Sequence, residues 1–298
     1  MTAANLSCSA SLGRRSLGIG RLGSALVVAV AGLAVGAFRY PPAVVPLAPA
    51  PLRYEAAQLD CARFRERSRS EIETYVAGET RRETAGLDGE WRLRAASGAG
   101  DSLWLEAWFD TLSVWRRSER DSLEPDTDGI IGGRYRGMLS PDGRYRAETR
   151  PFVPDPLQEV ADLSRALDDL LPPLPPRLLA FGESWSDGAG LEIRRLADSA
   201  GAGGPIHRFR LIVRRDADQA RLRGDSTPLT VRQSIREDDT FAWHPRNGLL
   251  RQDRHITVET YVPTEARVRR PVRARIEQRV VLERMEGGCE PGAASGSR

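Results

Sequence analysis

The chain of 298 residues carries a formal charge of only +3, and all 44 of its basic residues are arginine. Three of these, Arg14, Arg15 and Arg21, fall within residues 1–37, which hold no Asp or Glu; beyond them 41 basic residues face 41 acidic ones. That balance excludes a general nucleic-acid surface, which needs an excess of positive charge, while the length allows one or two domains with a sizeable core.

Residues 1–37 read as an export leader. The three arginines precede an apolar run from Leu22 to Phe38, and Val35 and Ala37 are small enough for cleavage before Phe38. The run also approaches the length of a membrane span, so a retained anchor is the alternative. No cysteine follows the run closely enough for lipidation: Cys8 precedes it and Cys61 lies well beyond. Either way the rest of the chain is expected outside the cytoplasmic membrane, periplasmic or anchored facing outward. Residues 38–60, rich in Pro and Ala, read as an extended linker.

Strand signals fill residues 61–286. Phe64, Ser68, Ile72, Thr74 and Val76 alternate with Arg65, Arg67, Arg69, Glu71, Glu73 and Tyr75, the pattern of a half-buried strand. Residues 79–95 continue it, with Trp91 and Leu93 opposite Arg92 and Arg94. Residues 102–116 also read as a strand, because aromatic and β-branched residues favour one. That strand would show Leu103, Leu105, Ala107 and Phe109 on one face, and Trp104, Trp108, Leu112 and Val114 on the other. The acidic loop 124–133 echoes the start of a calcium loop, but Tyr135 stands where the bidentate Glu belongs, so it reads as an ordinary turn. Ser140-Pro141-Asp142-Gly143 suits a tight hairpin turn.

One helix is expected, over 156–171. Asp155 can cap it, Pro156 suits its first turn, and Pro172 and Pro173 end it. Leu157, Val160, Ala161, Leu163, Leu167, Leu170 and Leu171 form a stripe at three- and four-residue spacing. Too short to be stable alone, the helix must lie on the sheet.

Strands then resume. His207, Phe209, Leu211 and Val213 share a face, as do Val272, Ala274, Ile276, Val280 and Leu282. His244-Pro245-Arg246-Asn247-Gly248 marks a reversal. The arginine rows on the opposite faces read as solvated and paired with acidic neighbours, with an anionic lipid surface as the sharper reading. Residues 287–298 read as a small-residue tail.

The usual catalytic and metal-binding constellations are missing. The three histidines are scattered, no zinc spacing occurs, and Gly182-Glu183-Ser184-Trp185-Ser186 ends in serine where a hydrolase elbow needs glycine. Asp168-Asp169 and Asp238-Asp239 read as surface carboxylates. These observations point away from an enzyme, and no cofactor or metal is expected. Cys61 and Cys289 flank the strand-rich region, and an exported compartment permits a disulfide between them; two free thiols is the alternative.

The proline-rich stretch followed by Phe181-Gly182-Glu183-Ser184-Trp185, and then by Trp243-His244-Pro245-Arg246-Asn247-Gly248-Leu249, resembles exported bacterial proteins of unknown function. Over roughly residues 60–285 the chain is similar in outline to the outer-membrane lipoprotein carrier superfamily. The resemblance implies a mainly β fold: a curved antiparallel sheet, half-barrel-like, covered here by the one central helix. It also implies an apolar concave face that holds lipid or acyl chains. Trp104, Trp108, Leu167, Leu171 and Trp185 are the candidate lining. The expected function is a cell-envelope binding module for a lipid or other apolar small molecule. The alternative is a structural or protein-interaction domain of the envelope with a filled core.

Overall fold

The computed structural model describes residues 51–217, 231–263 and 270–287. A short helix α1 (Ala56–Leu59) precedes β1 (Arg63–Val76), β2 (Glu79–Ser97), β3 (Leu103–Ser118), β4 (Ser122–Leu123), β5 (Tyr135–Leu139) and β6 (Tyr145–Thr149). After α2 (Asp155–Gln158) and a 3-10 turn at Leu163–Arg165 come β7 (Ser184–Ser186), β8 (Leu191–Arg195), β9 (Ser199–Gly201) and β10 (Gly204–Ala217). The described chain finishes with β11 (Arg232–His244), β12 (Gly248–Val262) and β13 (Val272–Arg284).

All these strands join one antiparallel sheet, ordered β6-β5-β3-β2-β1-β13-β12-β11-β10-β8-β7, with β4 on β3 and β9 on β10. It does not close into a barrel, since β6 and β7 are its two edges. The first and last strands are central neighbours, with Phe64 opposite Arg284 and Ile72 opposite Ile276. The chain leaves β6 at Thr149 and re-enters at Ser184 on the far edge. Residues 150–183 must therefore cross a face of the sheet, and they do so on the apolar one.

This crossing segment is not the expected helix over 156–171. The helix ends at Gln158, the last i→i−4 bond runs from Ala161 N to Leu157 O, and only the 3-10 turn and isolated i→i−3 turns follow. The leucine stripe is nevertheless buried, with Leu157, Leu163, Leu167, Leu170 and Leu171 all at 5% exposure or less. The difference lies in where the backbone carbonyls bond. Arg116 Nη1 donates to Glu159 O, Tyr135 Oη to Leu163 O, and Arg254 Nη1 to Asp169 O. Sheet side chains thus take acceptors that a helix would offer to its own amides. Below the segment lie Phe64, Trp91, Phe109, Phe209, Phe241 and Trp243, each buried side chain contributing about 1.5–3 kcal/mol.

A β-bulge corrects the expected faces of β3. Register shifts between Glu90 and Trp91, so Phe109 pairs with Trp91 whereas Leu112 pairs with Gly89. Leu112 and Val114 consequently join Leu105 and Phe109 in the core, and Trp104 and Trp108 remain on the other face. Within the stretch read as a linker, Leu52, Tyr54 and Leu59 are buried. Tyr54 stacks edge-on against Trp243 at 5.0 Å and donates to Pro172 O at 2.8 Å. Gly143, at φ 89°, lets the β5–β6 turn approach this point; a Cβ there would sit 2.7 Å from Pro172 O.

Candidate functional site

Strand register divides the apolar face of the sheet, the one the crossing segment partly covers, into three bands. The first is packed. Its rows hold Phe209, Phe241 and Leu282, covered by the leucines of the segment.

The second band is charged. Arg254 on β12 pairs with Glu237 (2.6 Å) and lies 3.6 Å from Asp239, both on β11. Gln252 Nε2 donates to Asp239 Oδ2 at 3.2 Å, and Trp91 Nε1 to Glu66 Oε2 at 2.7 Å. Asp239 is only 1% exposed, so the expectation that it is a surface carboxylate is overturned; Asp238 beside it, on the opposite face, is exposed and bonded to Arg210. Burial, and then the Glu237 charge, push the Asp239 carboxyl up to about 8, and burial raises Glu66 as well. The arrangement holds three carboxylates around a single guanidinium, an incentive for one of them to keep its proton.

The third band is apolar and lies beyond the reach of the crossing segment. Ile72, Ile276, Val258 and Ile235 stand side by side on β1, β13, β12 and β11. All four are only half-buried. Val76 and Val272, paired two rows further out, continue the surface to the sheet's end. A β-branched row on a sheet normally packs against a second layer, and among the described residues none is placed over this one.

The five side chains expected to line a ligand site are divided by the sheet. Leu167 and Leu171 are buried in the crossing segment, and Trp185 on β7 packs against the same core. Trp104 and Trp108 occupy the other face. Trp108 is held there by the Arg134 guanidinium 3.6 Å above its ring and by a 2.9 Å bond to Asp110. His207 is buried and bonded to Asp198 (3.2 Å) and Arg195 (2.9 Å). Among the described residues no group of three or more His, Cys, Asp or Glu side chains is placed to hold a metal ion. No helix among them is long and apolar enough to cross a membrane. Cys61 precedes β1, whereas Cys289 lies outside the described residues.

Neither family models nor curated proteins match the chain. Solved structures similar to it include lipovitellin, described for its lipid–protein interactions, at 12% identity and TM-score 0.39, covering 79% of this chain and 26% of the other. A putative exported protein with a YmcC-like fold from Bacteroides fragilis aligns at 13% identity and TM-score 0.20, over 74% of this chain and 95% of the other. A DUF1329 family protein from Desulfovibrio piger aligns at 9% identity and TM-score 0.17, over 79% and 88%. The chain thus spans about a quarter of the lipovitellin chain. Likeness at these scores is too low to carry an argument about function.

Proposed function

We propose that this protein is an exported cell-envelope binding module that holds an acyl chain or other apolar ligand against the open band of its sheet. The observation that carries the reading is the row Ile72–Ile276–Val258–Ile235, half-buried across four adjacent strands. Four strands spaced about 4.8 Å apart present a strip about 15 Å wide, suited to an extended hydrocarbon. Leu167, Leu171 and Trp185 belong to the packed band of the same face, across the charged band from this site. The charged band would set its inner limit, because hydrocarbon gains nothing against paired charges.

Export rests on the leader at residues 1–37, a signal peptide or an outward-facing membrane anchor. Residues 38–50 link it to the β domain, which takes in residues 51–60 through the buried Leu52, Tyr54 and Leu59 as well as 61–286, with 287–298 as a tail. A second reading is favoured by the filled space beneath the crossing segment: the open band is covered by another envelope protein, in a structural or interaction role.

A fluorescent fatty-acid analogue tests the first reading. Saturable one-to-one binding is expected, weakened at least about tenfold by Ile276→Glu, which places a charge in the apolar strip. Failure to saturate, or equal binding by the variant, would favour the second reading.

A further inference from the structure

The opposite face of the sheet carries the arginine rows, and several of their members are neutralised in place. Arg65 pairs with Asp88 (3.0 Å), Arg67 with Glu283 (2.9 Å), Arg279 with Asp253 (2.7 Å), and Arg210 with Asp238. Arg69, Arg208, Arg214 and Arg236 are exposed with no carboxylate partner among the described residues, and the outermost row sets two more such arginines beside aromatic rings. Register there aligns Arg232, Tyr261, Arg273 and Tyr75 on β11, β12, β13 and β1. Neither Arg232 nor Arg273 has a carboxylate partner among the described residues, and both are exposed. Arg273 lies 5.5 Å from the Tyr261 ring centroid, so its charge rests on an aromatic face rather than on an acid. Tyr75 and Val76, at the end of the same strand, are 45% and 36% exposed.

We propose that this Arg–Tyr–Arg–Tyr row is a docking edge for an anionic lipid bilayer. Guanidinium groups bind phosphate through paired donors, and tyrosine favours the boundary between water and hydrocarbon. The row forms the rim of a hollow of about 800 Å³. One row deeper the hollow presents Asp216, Glu259 and Glu73, with Glu73 held by Arg82 at 2.7 Å, and Arg275 between them, whose charge is taken by Glu277. A small anion seated in the hollow would meet those carboxylates, whereas a flat anionic surface meets only the rim. That difference in charge selects the bilayer. The inference does not depend on the apolar-ligand reading, which concerns the other face.

Hydroxyl-radical footprinting of the full chain on lipid vesicles tests it, and comparing variants that all keep residues 1–37, with Arg14, Arg15 and Arg21, cancels the attraction of that segment to anionic lipid. Oxidation of Tyr75 and Tyr261 should fall several-fold on vesicles containing phosphatidylglycerol relative to phosphatidylcholine alone. The double variant Arg232→Gln/Arg273→Gln should lose this protection, its surface attraction weakened roughly twenty-five-fold at about fivefold per arginine. Arg120→Gln/Arg146→Gln, which removes the same charge elsewhere, should keep it. Equal oxidation on both vesicle types, or undiminished protection in the double variant, would overturn the proposal. Protection reproduced on phosphatidylcholine vesicles by inorganic phosphate would also overturn it, in favour of a small-anion site.

Discussion

Arg254 Nη1 donates to the carbonyl oxygen of Asp169 at 2.9 Å, joining the middle of β12 to the segment that crosses the sheet. The same guanidinium holds Glu237 at 2.6 Å. One side chain therefore both balances the buried carboxylates and donates to the segment's backbone. Arg254→Met should cost about 3–5 kcal/mol, because it leaves charge buried without a partner. Asp169→Ala keeps the carbonyl and removes only an exposed side chain, so it should be nearly silent. Urea denaturation of both variants checks the contrast.

Asp239 makes stability depend on pH. Its folded pKa is raised to about 8 by burial and by the Glu237 charge, whereas in the unfolded chain it should titrate near the ordinary value of about 4. Between these values the folded state binds the extra proton, so this group's contribution to stability falls as pH rises from about 4 to about 8, and then levels off. Asp239→Asn should flatten that slope and be more stable than the wild type at pH 8. Thermal melting across the range would reveal the difference; parallel curves would count against it.

Leu167 is 2% exposed beneath the crossing segment. Leu167→Asp should therefore destabilise strongly, by several kcal/mol, through an unpaired buried charge. A small change in denaturation midpoint would mean that the segment is not docked.

We propose a disulfide between Cys61 and Cys289. Met285 N donates to Arg63 O at 2.9 Å, so the last strand runs back past the start of β1. Gly287, the final described residue, lies beside Arg63. A bond closing so long a loop is worth about 5 kcal/mol in the chain-entropy model. Thiol counting on denatured, unreduced protein should find neither cysteine free; two free thiols would exclude the bond.

Much of the sheet was legible because alternation reports faces directly. Val272, Ala274, Ile276, Val280 and Leu282 face one way as their spacing requires, and the Asn247-Gly248 reversal joins β11 to β12. The leucines at 157–171 were legible as buried but not as non-helical. Their spacing records which side chains turn inward, whereas the outcome depends on Arg116, Tyr135 and Arg254 reaching the carbonyls from distant strands. Phe241, Asp239, Glu237 and Ile235 already share a parity, which was the available signal that Asp239 faces the core. Its partner Arg254 could be assigned only once register was known. The open row is similar: each of its four members was readable as inward-facing or apolar, but their adjacency follows from pairing between strands far apart in the chain.

Native mass spectrometry of the protein purified from its host reads out directly whether the open band holds an apolar molecule. A retained apolar molecule is expected, at about one per chain, and it should be lost in Ile276→Glu while folding is preserved. Repeated ligand-free spectra of the wild type, or the same retained mass in the variant, would contradict the proposed binding function.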